Sequence, residues 1–253
     1  MRKVSILMYH QVGKFKRPDS HRAIFCHIRR FRAQMTYLHF FRYQVLSLSA
    51  ALDGLSGKRD LPHHGVVLTF DDGYQNFREY AFPVLQRYHF PATVFLVAGL
   101  LGKDSRWLEE DDRLGAPLMD RGTIRELRAR GIVFGSHTLT HPLLTQIDRS
   151  RREEEIKDSK SALEHLLDEE VKYFCYPSGD YDEAVVNIVR EAGYEAALTC
   201  DRGAATPADN PFTLPRKAVS FGDSLIGYFW KLHMKHKKKF SKNRFPQAHI
   251  DNK

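Results

Sequence analysis

Apolar and polar positions along this chain alternate between short buried runs and amphipathic stretches. Val4 to Met8 is a largely apolar run that ends at Tyr9-His10 and reads as a first strand. After a loop from Gln11 to Ser20, which holds Gly13 and Pro18, the spacing of Phe31, Met35 and Leu38 predicts a helix over Ile28 to Phe40. A short strand is expected over Val45 to Leu48, followed by a brief helix capped by Ser49 and ending near Gly54. Beyond a polar linker from Gly57 to Gly65, Val66-Val67-Leu68-Thr69-Phe70 predicts a buried strand that runs straight into Asp71-Asp72-Gly73.

The second half repeats the alternation. Phe77 to Tyr88 predicts a helix that Pro83 should cut or kink, and Thr93 to Val97 is rich in β-branched and aromatic residues, as a strand is. Gly99 to Met119 mixes Trp107-Leu108 with four consecutive acids and reads as an excursion over the surface or over a site. Thr123 to Arg130 is a short helix closed by Gly131, and Ile132 to Phe134 is a strand leading into Gly135-Ser136-His137. Ser150 and Glu153 have capping-box spacing and open a helix to about Asp168, with Ile156, Leu163 and Leu167 inward and Glu153-Glu154-Glu155 on a solvated face. Tyr173 to Tyr176 is a strand, Asp182 caps a helix ending at Gly193, Ala196 to Thr199 is a strand, and Thr213 to Arg216 is a late edge or loop. Strands alternating with helices imply an α/β fold with a mostly parallel sheet and right-handed crossovers.

Polar residues fall repeatedly at the C-terminal ends of those strands: His10, Asp71-Asp72, His137, and Pro177-Ser178. In a parallel barrel that is the rim where sites are built. Two adjacent acids at a buried strand end are costly unless a charged partner meets them. His137 and His141 are four apart, a spacing that places both imidazoles on one face of a helical turn. A carboxylate with two neutral imidazoles is a common ligand set for a catalytic divalent ion. Bland readings stand beside these: a helix cap followed by an exposed acid, surface histidines, His10 bonded to backbone, and Arg216 paired with a surface acid. Cys175 reads as packing.

The chain has 253 residues, 42% of them hydrophobic, which suits one α/β domain with a full-sized core. No apolar run approaches a membrane span, and the N-terminal apolar run is too short for a secretory signal, so a cytoplasmic location is expected. Cys26, Cys175 and Cys200 are too few and scattered for a disulfide framework or a cysteine-based zinc site. The formal charge of +8 is concentrated in Lys14 to Arg17, Arg29 to Arg32 and Lys231 to Lys242. A nucleic-acid binder built on this charge would need the sustained aromatic-basic interleaving of known single-strand platforms, which the chain does not show, so no specific nucleic acid is expected.

With those residues placed, the chain resembles the polysaccharide deacetylases, the NodB-homology group of carbohydrate esterases, over about Val4 to Val219. The resemblance rests on Thr69-Phe70-Asp71-Asp72-Gly73 and on His137-Thr138-Leu139-Thr140-His141 in that order. It implies a distorted (β/α) barrel with fewer than eight strands, a single domain over residues 1–219. It also implies Asp72, His137 and His141 as ligands of one divalent ion, zinc first with cobalt, nickel or manganese open, and Asp71 as general base. Where many members carry an arginine and then an aromatic around the aromatic-Pro step, this chain has Cys175 and Ser178, and Arg216 is the substitute partner for Asp71. The aspartate and tryptophan of the family's fourth motif have no clear counterpart. The histidine motif expected near the C-terminus stands at the front instead, as Leu7-Met8-Tyr9-His10, like the circularly permuted poly-N-acetylglucosamine deacetylases. By that likeness His10 is the general acid, with His233 the other histidine at hand. Met8 lines a pocket for the acetyl methyl, Tyr9, Pro177 and Ser178 contact substrate, and a backbone N–H near Ser178 helps hold the oxyanion.

The implied activity is metal-dependent removal of N-acetyl groups from an amino sugar in a glycan or lipid-linked glycan precursor. An O-deacetylase, another carbon–nitrogen hydrolase, or a catalytically inactive glycan-binding relative on the same fold remain open alternatives. Residues 220–253 read as a separate basic tail. Leu225, Phe229 and Leu232 fall on one helical stripe, and Tyr228 and Trp230 stand beside a lysine cluster. That combination resembles an interfacial anchor for an anionic membrane, against the alternative of a last barrel helix and a solubilising tail.

Overall fold

A computed structural model describes residues 3–18, 22–105, 107, 115–237 and 239. Its sheet is parallel throughout, in the order β1 (Val4–Tyr9), β10 (Leu214–Ala218), β9 (Ala196–Arg202), β8 (Tyr173–Cys175), β7 (Val133–Ser136), β6 (Thr93–Leu96), β5 (Gly65–Phe70) and β4 (Gln44–Leu46). β1 also pairs with β5 along its whole length, from Val4 opposite Gly65 to Tyr9 opposite Phe70, and this closes a seven-strand barrel. β4 takes the remaining edge of β5 at its N-terminal half, where Gln44 to Leu46 pair with Gly65 to Val67, and β6 takes the C-terminal half.

Strands buried on both faces must be apolar on both, which is why β1 and β5 read as continuous runs. Alternation along β1 turns Val4 and Ile6 into the barrel and Leu7 and Tyr9 outward to the helices. The interior is packed with Val67, Phe95, Tyr173, Leu198 and Leu214, and Leu48 and Ala51 of helix α2 (Leu48–Leu55) join that cluster. The larger core lies between the barrel and the outer helices: α1 (Ile28–Phe40), α3 (Phe82–Tyr88), α4 (Arg121–Ala129), α5 (Arg149–Leu167), α6 (Glu183–Glu191) and α7 (Leu225–His233).

Several local expectations change. Thr213 to Arg216 is no edge or loop: Leu214–Ala218 is barrel strand β10, and Pro215 is tolerated because the β10–β9 register shifts between Leu214 and Arg216. Part of the predicted Gln11–Ser20 loop is strand β2 (Gln11–Gly13), paired with β3 (Phe25–His27). Ser47, not Ser49, caps α2 by accepting from Ala50 N at 3.1 Å. Asp148, not Ser150, caps α5 by accepting from Arg151 N at 3.0 Å, while Glu153 pairs with Arg149 and Lys157 on the surface. Pro83 does not break its helix: a π turn (Phe77–Ala81) precedes α3, and the proline sits in the first turn, where no N–H is needed.

Within the expected tail, α7 packs on α1 and sends Tyr228 and Leu232 into the main core. The predicted stripe is therefore displaced: Leu225 and Phe229 are nearly half exposed and Tyr228 is the inward residue. Residues 240–253 lie outside the described part. Among the described residues, no helix is long and apolar enough to cross a membrane.

Candidate metal and catalytic centre

The β1–β5 register brings the ends of both strands level, and Asp71 N donates to Tyr9 O at 2.9 Å. His10 and Asp71, each one residue past its strand, therefore meet at the C-terminal rim, with His10 Nε2 3.9 Å from Asp71 Oδ2. Asp72 and Gly73 both have φ of 73°, a left-handed pair that turns the chain sharply. A Cβ at Gly73 would lie 2.7 Å from Leu96 Cδ2, so both backbone sign and space call for glycine there. Asp72 in this conformation is strain of the kind held at functional sites.

Asp71 is buried and held by Arg216, whose Nη1 and Nη2 donate to Oδ1 and Oδ2, each at 2.7 Å. Arg216 comes from β10 and is itself fixed: Nε donates to Thr199 O at 2.9 Å and Nη1 to Thr69 Oγ1 at 3.1 Å. Burial alone would raise the Asp71 pKa, but the guanidinium outweighs it and keeps the carboxyl below its ordinary value. The chain thus brings together the residue pair for which the third-motif arginine is missing. Cys175 is more than packing. Its Sγ lies 3.1 Å from Arg216 Nη2 and 3.6 Å from Asp71 Oδ2, and its carbonyl accepts from His137 Nδ1 at 2.7 Å.

A carbonyl can only accept, so His137 Nδ1 carries a proton and Nε2 is the atom turned to Asp72, 3.3 Å from Oδ1. His141 Nε2 stands 3.5 Å from the same oxygen. Asp72 Oδ1 is buried, and among the described residues it accepts no hydrogen bond of good geometry. A buried carboxylate oxygen with two imidazole nitrogens converging on it is a donor set that could hold one divalent ion, and the donor atoms of Asp72, His137 and His141 all lie within 4.8 Å of one another. Asp71, His137 and Cys175 satisfy the same spacing, but both Asp71 oxygens are already taken by Arg216, so the Asp72 set is the one free to bind.

Burial, reinforced by His137, pushes the His141 pKa down to about 3, which leaves its ring neutral as a ligand must be. Burial also opposes charge on His137, yet the Cys175 and Asp72 contacts outweigh it and hold its pKa well above the ordinary value. Asp72 is correspondingly held low: burial works against ionisation, and the contact with His137 leads the interactions that overcome it.

The His137–His141 stretch is not a helical turn. Thr138 and His141 have φ of 68° and 67°, and the loop is closed by His141 N donating to Thr138 Oγ1 at 3.0 Å. What shapes it is Glu155 of α5, fully buried rather than on the solvated face expected of it. Its carboxylate accepts from Leu139 N at 2.8 Å, Thr140 N at 2.9 Å and Thr140 Oγ1 at 2.5 Å, and pairs with Arg151 at 2.8 Å. Trp107, from the excursion after Gly99, stacks on His141 with ring centroids 4.4 Å apart and planes 18° apart. Leu108 to Asp112 lie outside the described residues. A lone tryptophan in a polar excursion was the available signal, and it did not say which residue the ring would meet.

Of the remaining predicted residues, Met8 follows the inward parity of β1, and its Sδ lies 3.9 Å from Cys200 Sγ. Pro177 and Ser178 form a turn directly after β8, with Ser178 exposed at φ 54°. The structure does not bring Tyr9 to the site. Strand alternation turns it outward, where its ring stacks on Phe70 at 5.2 Å and its hydroxyl donates to Gln34 Oε1 at 3.0 Å. His233 is also absent from the rim: its Nε2 lies 2.6 Å from Tyr43 OH, beside His64 and outside the start of β5.

A family model described as polysaccharide deacetylase matches residues 58–197. YxkH of Bacillus subtilis strain 168, named for the same family, is 29% identical over 222 residues, covering 88% of this chain and 73% of its own. The poly-beta-1,6-N-acetyl-D-glucosamine N-deacetylase of Staphylococcus aureus strain MSSA476 is 23% identical over 201 residues, 75% of this chain and 66% of that one. Among solved structures, the Streptococcus pyogenes deacetylase PplD in complex with acetate superposes with a TM-score of 0.76 at 27% identity, covering 91% of this chain and 98% of that one.

Proposed function

From its membership of the polysaccharide deacetylase family, we propose that this chain hydrolyses N-acetyl groups of an N-acetylated amino sugar in a glycan or glycan precursor, using one divalent ion. The observation that carries the reading is two assemblies sharing one rim: the converging donors of Asp72, His137 and His141, and the Arg216–Asp71 pair with His10 beside it. The relatives support the substrate class, since one is named for poly-beta-1,6-N-acetyl-D-glucosamine and another was solved with acetate. The mixed nitrogen and oxygen donor set suits zinc first, with cobalt, nickel or manganese as substitutes.

Asp72, His137 and His141 would hold the ion, which would supply Lewis-acid polarisation of an acetyl carbonyl and lower the pKa of a water. Asp71 takes the proton of the attacking water. It is ionised because Arg216 holds it so, and it is aimed because both its oxygens are clamped. His10, 3.9 Å from Asp71, gives a proton to the departing nitrogen. In the turn after β8 the N–H groups of Gly179 and Asp180 are spent on Tyr176 O and Pro177 O, and we assign oxyanion contact to the N–H of Ser178. Met8, beside Cys200, lines the acetyl methyl side.

Acetate release from β-1,6-linked N-acetylglucosamine oligomers, with chelator and after zinc is restored, tests the assignment. Release that chelator abolishes and zinc restores is expected. Release from O-acetylated but not N-acetylated glycan would reassign the bond cleaved, and metal-loaded protein that binds oligomer without release would make it a binding relative.

A further inference from the structure

A second polar cluster lies away from the rim, outside the barrel at the N-terminal ends of β1 and β5. A cavity of about 210 Å³ there is lined by Lys3, His63, His64, His233 and His236, with Ser5 and Tyr43, and no carboxylate is among its lining residues. Behind it Lys217 is 1% exposed. Its ammonium donates to Ser5 Oγ at 2.9 Å and Leu232 O at 3.4 Å and sits 3.2 Å from His236 Nδ1, and among the described residues no acid pairs with it. Buried ammonium groups are ordinarily paired. Burial and Lys3 push the Lys217 pKa down to about 7, and burial, Lys217 and Lys3 push that of His236 down to about 4. The cavity stands as a set of imidazole and hydroxyl groups with Lys3 at its wall and Lys217 behind, and no acid lines it.

Next to this cavity is the chain's exposed apolar surface. Among the described residues, every large apolar side chain that is exposed lies at the end of α1 or on and just after α7, led by Ile226 at 81% and Phe40 at 74%. The two regions are continuous. Phe229 packs on His233 with ring centroids 4.3 Å apart, His233 bonds Tyr43, Tyr43 meets Tyr37 at 5.8 Å, and Tyr37 meets Phe41 at 4.5 Å. Scattered exposed apolar residues need no explanation, but a contiguous set of aromatics does. A recess lined by Lys3 and imidazoles beside protruding rings matches the order of a lipid interface, where the phosphate layer lies next to the acyl boundary.

We propose that this cavity binds the phosphate group of an anionic lipid, with the exposed rings of α1 and α7 seated in the interface. A lipid phosphodiester brings several acceptor oxygens and one negative charge to a site whose donors converge from β1, the residues before β5 and the segment after α7, with Lys217 of β10 behind them. The membrane contact expected of the basic tail is thereby moved to folded elements. It rests on surfaces the catalytic assignment does not use, so either can fail without the other.

Co-sedimentation of the full chain with phosphatidylcholine vesicles, with and without phosphatidylglycerol, tests this. Binding should require the anionic lipid. It should weaken about tenfold in Lys3→Gln/His64→Gln, which removes one ammonium and one imidazole from the cavity, and by a similar factor in Phe40→Ser/Trp230→Ser, which alters only exposed rings. Acetate release from a soluble oligomer should be unchanged in both, a readout that also reports folding. Equal binding to neutral vesicles, or binding indifferent to the cavity variant, would overturn the proposal. So would a rise in melting temperature with inorganic phosphate, lost in the cavity variant, without vesicle binding, since that describes a free-phosphate site. Concentration-dependent dimerisation abolished by Phe40→Ser/Trp230→Ser would give the surface to a second copy instead.

Discussion

At the residue scale, the Arg216–Asp71 pair decides how the rim works. Two parallel 2.7 Å bonds between fully buried groups hold Asp71 ionised and oriented, a task lysine could not perform with the same geometry. Removing the guanidinium while leaving the carboxylate buried should be severe. Arg216→Met is expected to lower unfolding free energy by about 3–5 kcal/mol in denaturant titrations, and Arg216→Met/Asp71→Asn should recover part of that while remaining inactive. His10 has a separate signature. His10→Ala should keep its metal content and lower kcat by about 10²-fold or more, and its pH–rate profile should lose the alkaline limb that reports deprotonation of the acid. An alkaline limb that persists would give the proton transfer to water, since His233 lies away from the rim.

At the scale of elements, the loop between β7 and α5 is the piece that brings two sequence-close histidines to face one carboxylate, as co-ligands of the proposed ion would have to. Its two left-handed residues are not self-supporting, and the buried Glu155 carboxylate supplies three of the bonds that hold it. Glu155→Gln keeps the shape but replaces one acceptor oxygen with a donor and breaks the Arg151 pair. Zinc affinity, read by competition with a chromophoric chelator, should fall about 10–100-fold, well beyond any change in the stability of the metal-free protein. A loss of affinity no greater than that of Arg151→Met would reduce Glu155 to an ordinary surface-pair partner. Trp107 acts on the same loop from the other side by packing on the His141 ring.

At the scale of the molecule, metal, protons and folding are linked. Without metal, the raised His137 pKa means that His137 and Asp72 share an ion pair below that pKa, stabilising the fold there and losing that contribution as pH rises through it. His141 is neutral at any pH above about 3 and contributes no such term near neutrality. An incoming ion must displace the His137 Nε2 proton, so affinity should rise with pH by up to tenfold per unit until His137 is neutral, with about one proton released per ion. Calorimetry in two buffers of different ionisation enthalpy measures that proton. Release of none would mean that His137 is already neutral in the metal-free protein. The same linkage predicts a higher melting temperature with zinc than with chelator, by an amount that grows with free zinc.

What the chain determined by itself is local and periodic. Buried strands announce themselves as apolar runs because both faces of a parallel barrel strand are covered. Residues at their C-terminal ends gather on one rim whatever the details, so Asp71, Asp72, His137 and His10 could be named beforehand. Strand parity even contained the fate of Tyr9, one residue from His10 and therefore on the opposite face. Tertiary structure decided the rest. Arg216 reaches Asp71 only because closure of the barrel sets β10 beside β1, across 145 residues of chain. Glu155 looks like one acid in a run of three until the helix is docked and one of its faces becomes interior. The loop carrying His141 takes its left-handed turns from groups far along the chain, and no helical spacing could disclose them. Closure, docking and long-range hydrogen bonding bring together residues whose separation in sequence carries no period, and only the folded chain displays such pairs.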